Sequence, residues 1–194
     1  MKRTICATGF LLFITCILSG CVYSIHPLND GVPATVESAL PGTWVTQDKD
    51  GKKELMTIRA VKQAYEVDYA EPDSGRVYRY EANLVRIDDF LFADALLKGD
   101  VKPDGKMVEV PGGAVALHVF VKVSLEGDAL RMALLKQDWV RKQLEDKKIV
   151  VAHEDFDEDT TILTAPPPQL REFLKGIATI KEAFGDTDTF NRKK

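Results

Sequence analysis

Cysteine is scarce in this chain and is confined to its N-terminus. The three cysteines are Cys6, Cys16 and Cys21, so the sequence from residue 22 to residue 194 contains none. This absence excludes a disulfide bond, a thiolate metal site and a cysteine nucleophile from that part of the chain. A domain formed by these residues must therefore be stabilised by the burial of apolar surface.

Histidine is also rare, and two sequence motifs of common catalytic sites are absent. The three histidines are His26, His118 and His153, and neither a Gly-x-Ser-x-Gly nor a His-Glu-x-x-His pattern occurs. His118 alternates with valines in a predicted strand, which is typical of a residue on a sheet face. We therefore predict no catalytic residue and no cofactor, and the sequence favours a role other than that of an enzyme.

The strongest candidate for a metal site is the acidic segment that follows His153. Alternate carboxylates at Asp155, Asp157 and Asp159 could supply hard oxygen ligands beside one imidazole. The segment lacks the glycine and the terminal glutamate of a calcium-binding loop. The sequence therefore favours a solvated acidic loop, Glu154 to Asp159, and predicts no metal site.

Positive charge is in deficit. The chain has 26 lysines and arginines against 30 acidic residues, a net charge of −4. Without the N-terminal Lys2 and Arg3 the balance is 24 against 30, or −6. Nucleic-acid binding needs clustered positive charge, so the composition argues against a nucleic-acid partner. It also argues against electrostatic attraction to anionic lipid head groups.

The N-terminal apolar run, Ile5 to Leu18, is too short to span a bilayer comfortably, which takes about 20 apolar residues. It follows the basic pair Lys2 and Arg3, and this order is typical of an export signal. The run ends in Leu18-Ser19-Gly20-Cys21, which resembles the lipobox of bacterial lipoproteins.

The lipobox resemblance implies that the Cys21 thiol receives a diacylglyceryl group, that the signal is cleaved before Cys21, and that the new amine is acylated. Acyl chains on Cys21 would then anchor the protein to a membrane. An ordinary cleaved signal, with Cys21 present by chance, is the alternative. Val22 stands where the family's inner-membrane retention signal has an aspartate. The resemblance thus implies a cell-envelope lipoprotein, on the outer membrane and facing the periplasm.

We divide the chain into four parts on composition. Residues 1–20 are the predicted signal peptide, and residues 21–40 are the predicted lipidated N-terminus and tether, in which Gly31 and Pro33 oppose regular structure. Packing of part of this tether along the domain is the open alternative. Residues 41–185 are predicted to form a single β-rich globular domain with a C-terminal helix, and residues 186–194 a frayed polar tail.

The domain contains about seven predicted strands with short turns between them. Alternating apolar and polar residues indicate strands with one buried face, and the run from Val77 changes phase in a way that favours a bulge near Asn83. Lys98 to Gly113 is a predicted loop that contains an extended piece. The strand segments are Thr43–Thr46, Leu55–Arg59, Tyr65–Tyr69, Val77–Ile87, Phe90–Leu96, Ala114–Leu125 and Leu130–Leu135.

The last third of the domain has a helical period. Asp138 is the predicted N-cap of a short helix, Trp139 to Glu145, and Pro167 begins a longer helix that Gly185 ends. Short strand-like runs, 149–152 and 161–163, lie between the helices. The predicted fold class is mainly β with C-terminal helices: an antiparallel up-and-down sheet or small barrel, α+β overall.

The first predicted strand begins with Gly42-Thr43-Trp44, which resembles the start of lipocalins and related lipocalin-like barrels. The resemblance implies an eight-stranded cup in which Trp44 closes one end, with Arg131 as the candidate cover for its ring. The family's later Thr-Asp-Tyr and Arg-x-Pro motifs are not found. The other interpretation, that Trp44 is a core aromatic of another sheet, therefore stays open.

Two functions follow as hypotheses. The first is a membrane-anchored binding module for a small apolar molecule or lipid, whose ligand-binding residues the sequence does not identify. The second is a structural or protein-interaction lipoprotein that docks on another envelope protein. Aromatic residues on the predicted strands either line the interior of a closed sheet or simply form the core of the domain: Tyr65, Tyr69, Tyr78, Tyr80, Phe90 and Phe92.

Overall fold

The computed structural model describes residues 22–47, 51–72, 74–102, 104–111, 115–157 and 160–194. The predicted signal peptide and Cys21 lie outside the described residues. Within them, no helix is long and apolar enough to cross a membrane.

The described residues form twelve strands, two α-helices and one 3-10 helix. Strands are built where β-branched, aromatic and other apolar residues alternate with polar ones. The strands are β1 (Val22–Ser24), β2 (Gly42–Gln47), β3 (Lys53–Val61), β4 (Ala64–Ala70), β5 (Val77–Ile87), β6 (Phe90–Val101), β7 (Met107–Glu109), β8 (His118–Glu126), β9 (Ala129–Leu134), β10 (His153–Asp157), β11 (Thr160–Leu163) and β12 (Asp188–Arg192). The helices are α1 (Gln137–Glu145) and α2 (Pro167–Ile177), followed by the 3-10 helix Lys181–Ala183.

Eight strands close into an antiparallel barrel in the order β2-β3-β4-β5-β6-β8-β9-β12. The ring closes because β12 pairs with both β9 and β2, with Arg192 opposite Trp44. The β6–β8 pairing skips the short strand β7 and sets Ala93 opposite Val121. The predicted fold class, a small antiparallel barrel with C-terminal helices, is confirmed.

The two ends of the barrel differ. At the lower end β2 begins, β12 ends, and tight turns join β3 to β4, β5 to β6 and β8 to β9. Lys62 and Asp88 each begin one of these two-residue turns at positive φ, and Gly127 begins the third. At the upper end the connections are longer, and the two helices follow β9 there.

One outer face of the barrel is covered by the helices. Phe92 of β6 and Phe120 of β8 point outward and are buried against Leu170 and Leu174 of α2 in a second apolar core. Lys122 enters this layer from β8, and its ammonium donates to the Ala178 carbonyl at 2.6 Å, at the C-terminal end of α2. Burial lowers the pKa of Lys122.

Residues 22–40 pack along the barrel, which was the alternative to a free tether. Strand β1 pairs with β8 and β11, and Val22 is only 2% exposed. The buried Leu28 donates its backbone N–H to the Asp94 carboxylate at 2.7 Å. Further along, Thr35 bridges to Leu84 of β5. We call residues 22–40 the strap.

Two charged side chains fix the strap. Asp94 is 1% exposed and also lies 2.6 Å from the His118 Nδ1 atom. Arg171 of α2 donates to the carbonyls of Leu28, at 2.6 Å, and Asp30, at 3.0 Å. Because Asp94 accepts from the N–H and Arg171 donates to the carbonyl of Leu28, both backbone polar groups of this buried residue are satisfied.

Several local predictions are corrected. The β5–β6 register shifts between Arg79 and Tyr80, where Lys98 of β6 is the extra residue, so the bulge lies on β6 and not near Asn83. Helix α1 starts after Lys136 without a side-chain cap, so Asp138 lies in the first turn. Residues 149–152 are not a strand. Helix α2 ends at Ile177, and a 3-10 turn carries the chain to Phe184.

The expectation of a frayed C-terminal tail is also corrected. Residues 188–192 form β12, the strand that closes the barrel, and Phe190 is 3% exposed inside it. Phe190 is one apolar residue among polar neighbours, so the sequence carries almost no strand signal. The backbone N–H and carbonyl groups of β2 and β9 stabilise this strand, because both neighbours would otherwise be unpaired edges of the sheet.

Candidate functional site

Trp44 forms the floor of the barrel at its lower end. Its ring is fully buried, and its indole N–H donates to the Leu40 carbonyl at 2.9 Å. Leu40, at the end of the strap, is buried in the same interior cluster. The bond to Leu40 satisfies the only polar group of the indole, so a large flat side chain closes the barrel at no polar cost.

Arg192, from β12, covers the Trp44 ring. The guanidinium carbon lies 4.2 Å from the ring centroid, and Nη1 donates to the Pro41 carbonyl at 2.9 Å. A second nitrogen, Nη2, donates to the Ala39 carbonyl. The arginine thus joins the last strand to the end of the strap through a cation–π contact and two hydrogen bonds.

Gly42 leaves the space that this arginine occupies. Its φ is +148°, a region that residues with a Cβ rarely adopt. A Cβ at this position would collide with the Arg192 guanidinium. Gly42 and Trp44, the two structural residues predicted from the sequence, therefore belong to one floor assembly with Arg192.

The candidate cover for the Trp44 ring, Arg131, does not lie over the ring. Arg131 points away and pairs with Glu126 at 3.1 Å on the exposed β8–β9 hairpin. Arg192 was missed because it lies in the segment, residues 186–194, that we interpreted as a tail. In the sequence, Arg192 is simply the first basic residue after Phe190. That position becomes informative only once the closure of the barrel is known.

On several barrel strands the inward-facing side chains are more exposed toward the upper end. On β9, Leu130 is 1% exposed, Met132 is half-buried and Leu134 is 37% exposed. On β6, Leu91 is 7% exposed while Leu97, which has the same phase, is 39% exposed. The same change is seen from Tyr65 to Tyr69 on β4 and from Val123 to Val119 on β8, whereas Ala60 of β3 is exposed and Leu125 of β8 is half-buried at the lower end.

Such a gradient has a simple physical meaning. Inward-facing residues near an open rim are reached by solvent, whereas those just above the Trp44 floor are shielded. The small side chains of Ala93 and Ala95 face the interior at mid-height. We call the upper half of this interior, with its apolar wall, the cup.

A polar group stands on the inner wall near the rim. Tyr69 of β4 donates its hydroxyl to Glu54 Oε2 of β3 at 3.0 Å. Burial, and then the negative charge of Glu54, raise the pKa of Tyr69 well above its ordinary value of 10.0. Glu71, two residues beyond Tyr69 on the same face, acts in the same direction.

We expect Tyr69 to remain protonated in the folded protein at a pH at which an unfolded tyrosine ionises. An unfolded tyrosine loses its proton near pH 10, so folding stability falls as the pH rises above about 10. Phenolate absorbance of wild-type protein and of Tyr69→Phe, each titrated folded and in denaturant, measures this. Folded wild type and folded Tyr69→Phe should contain the same number of phenolates. Unfolded wild type should contain one phenolate more than unfolded Tyr69→Phe. An extra phenolate in folded wild type near pH 10 would contradict the Tyr69–Glu54 contact.

A groove of about 530 Å³ lies outside the barrel, between the strap and the outer faces of β4 and β5. Four of its five charged lining side chains form ion pairs: Glu66, Arg79, Glu81 and Lys98. Arg79 lies 3.5 Å from Glu66, and Lys98 lies 3.4 Å from Glu81. Arg79 also donates to the Asp68 carboxylate at 2.7 Å.

The remaining sequence candidates do not assemble into a site. His118 lies on the outer face against Asp94, and His153 Nδ1 lies 2.9 Å from the Val151 carbonyl. The predicted acidic loop is partly β10, which pairs with β11, and Asp155 accepts a hydrogen bond from Thr161 at 3.0 Å. Over the described ranges, no group of three or more histidine, cysteine or acidic side chains is arranged to hold a metal ion.

No protein-family model, curated protein or solved structure matches this chain.

Proposed function

We propose that this protein is a lipid-anchored binding module whose barrel holds one small apolar or amphipathic molecule. The increase in exposure toward the upper end on β4, β6 and β9 carries the proposal, because an apolar cup that is closed below by Trp44 and open above accounts for it. A barrel of eight strands has room for one small ligand. The floor of Gly42, Trp44 and Arg192 adds to the resemblance to lipocalin-like barrels.

The anchor in this proposal is the lipid-modified Cys21. Val22 is buried as the first residue of β1. Neighbouring Cα atoms are about 3.8 Å apart, so acyl chains on Cys21 would leave the chain directly beside the barrel. The domain would then be held at the lipid surface without a spacer. The expected location is the cell envelope, on the periplasmic face of the outer membrane.

A cup-filling substitution tests the binding function. Ala95 faces the interior between Ala82 and Val119, so Ala95→Phe adds a ring in the open half of the cup. We expect wild-type protein from its own membrane to carry a bound small molecule in native mass spectrometry. We expect Ala95→Phe to lose that molecule in most of the population, because the ring occupies its volume.

Ala64→Phe is the matched control, since Ala64 lies on the outer face of β4, beside the groove. Ala64→Phe should still carry the bound small molecule. If folded Ala95→Phe carries the same small molecule at the same occupancy as wild type, binding inside the cup is refuted.

A role in protein interaction is the second candidate. Strand β10 pairs with β11 only, within the part of the chain that is described, and Phe156 on β10 is 77% exposed. An open edge with an exposed aromatic is suited to strand addition by a partner. Absence of a carried molecule, together with a discrete crosslinked product from a photoreactive residue at position 156, would favour this candidate.

A further inference from the structure

Three polar side chains share the inner wall of the cup at its rim. Glu54 is two residues from Met56 on β3, and Tyr69 lies opposite Met56 on β4. Side chains two apart along a strand have the same direction. Glu71 continues the phase of Tyr69, because its N–H still pairs with the Arg76 carbonyl at 2.8 Å, in line with the β4–β5 ladder. We call Glu54, Tyr69 and Glu71 the rim cluster.

The Glu71 carboxylate is buried and only half satisfied. The side chain belongs to a residue that is 6% exposed. Ser74 donates its hydroxyl to Oε2, whereas Oε1 has no hydrogen-bond partner among the described residues. A buried acceptor without a donor is costly, and more so when it is ionised. Nearby, Arg76 attracts Glu71 electrostatically, but its side chain is exposed to solvent.

The chemistry of the rim cluster restricts the head group that fits there. Ionised carboxylates accept hydrogen bonds and cannot donate them. The Tyr69 hydrogen is already given to Glu54. A ligand that donates N–H and carries a positive charge would satisfy Glu71 Oε1 and gain from Glu54. A carboxylate or phosphate head group would meet repulsion from both glutamates.

We propose that the cup selects amphipathic molecules with an ammonium head group, held at the rim by Glu71 and Glu54, and with an alkyl chain that points toward Trp44. This inference rests on the proposed function and adds the class of ligand. The apolar wall between rim and floor consists of Val67, Ala93, Ala95, Val119 and Met132.

Three probes with the same chain length test the head group: octylamine, octanol and octanoate, titrated calorimetrically into the purified full-length protein at neutral pH. We expect octylamine to bind at least about tenfold more tightly than octanol, the size of one charge-assisted hydrogen bond. Octanoate should bind most weakly. Glu71→Gln should bring octylamine close to octanol and leave octanol unchanged. Glu54→Gln should act in the same direction.

Glu126→Gln is the matched control, because Glu126 is exposed at the lower end. It should keep the preference for octylamine. Retained octanol binding shows that each variant is folded. Equal affinities for octylamine and octanol in wild type, or an unchanged preference in both Glu71→Gln and Glu54→Gln, would overturn the head-group inference and leave the cup in place. Failure of every probe to bind wild type would overturn the binding function as well.

Discussion

Trp44→Ala should lower the free energy of unfolding by about 3–5 kcal/mol, the range measured when a buried aromatic is truncated to alanine. The ring is fully buried, and it is the surface on which Arg192 lies. Its loss leaves a cavity at the floor and an arginine without its ring. Denaturant unfolding followed by far-ultraviolet circular dichroism measures the change.

Trp139→Ala provides the matched control, because the chain has two tryptophans and Trp139 is only partly buried on α1. Its cost should be clearly smaller. Arg192→Leu should weaken the floor by less than Trp44→Ala, since it removes the cation–π contact and two hydrogen bonds but leaves the ring in place. Equal costs for both tryptophans would show that Trp44 does not close the barrel.

Cys21→Ser should abolish lipid attachment and release the protein from the membrane. The lipobox resemblance assigns the acylated sulfur to Cys21, and serine cannot form the thioether. Firm anchoring needs more than one acyl chain. Because the variant lacks the diacylglyceryl group, we expect almost all of the protein to leave the membrane fraction. Incorporation of labelled fatty acid and fractionation of the cell envelope measure the two effects.

The chain offers two matched controls for this substitution. Cys6→Ser and Cys16→Ser change the same atom within the predicted signal peptide. Both should retain the label and the membrane fraction. If Cys21→Ser is still cut at the same bond and still sediments with the envelope, the lipoprotein proposal is wrong, and the binding module would need another explanation of its location.

The barrel strands were largely predictable, because local patterns specify them. The alternation of Tyr65, Val67 and Tyr69 with polar residues gave β4, and the runs from Val77 and Phe90 gave β5 and β6. The fold class followed from short turns between such strands. The Gly-x-Trp motif gave Gly42 and Trp44 as structural residues, and both lie in the floor.

The strap and the last strand were not predictable in the same way. Residues 22–40 lack a period because they contact the barrel through single groups, such as the Leu28 N–H on Asp94 and the Thr35 bridge to Leu84. Residues 188–192 have one buried apolar residue, Phe190. Their conformation is stabilised by partners far away in the chain, and no local pattern encodes those partners.

The sequence by itself determined that the chain builds antiparallel strands without disulfide staples, because residue type and alternation act through neighbours that are close in sequence. Only the tertiary structure decided which arginine covers Trp44, that the sheet closes, and which carboxylates face the interior at the rim. Those features depend on the register of strands such as β2 and β12, which are separated by more than a hundred residues. Register is set by the shared burial of the whole barrel, so it becomes visible only when the fold is complete.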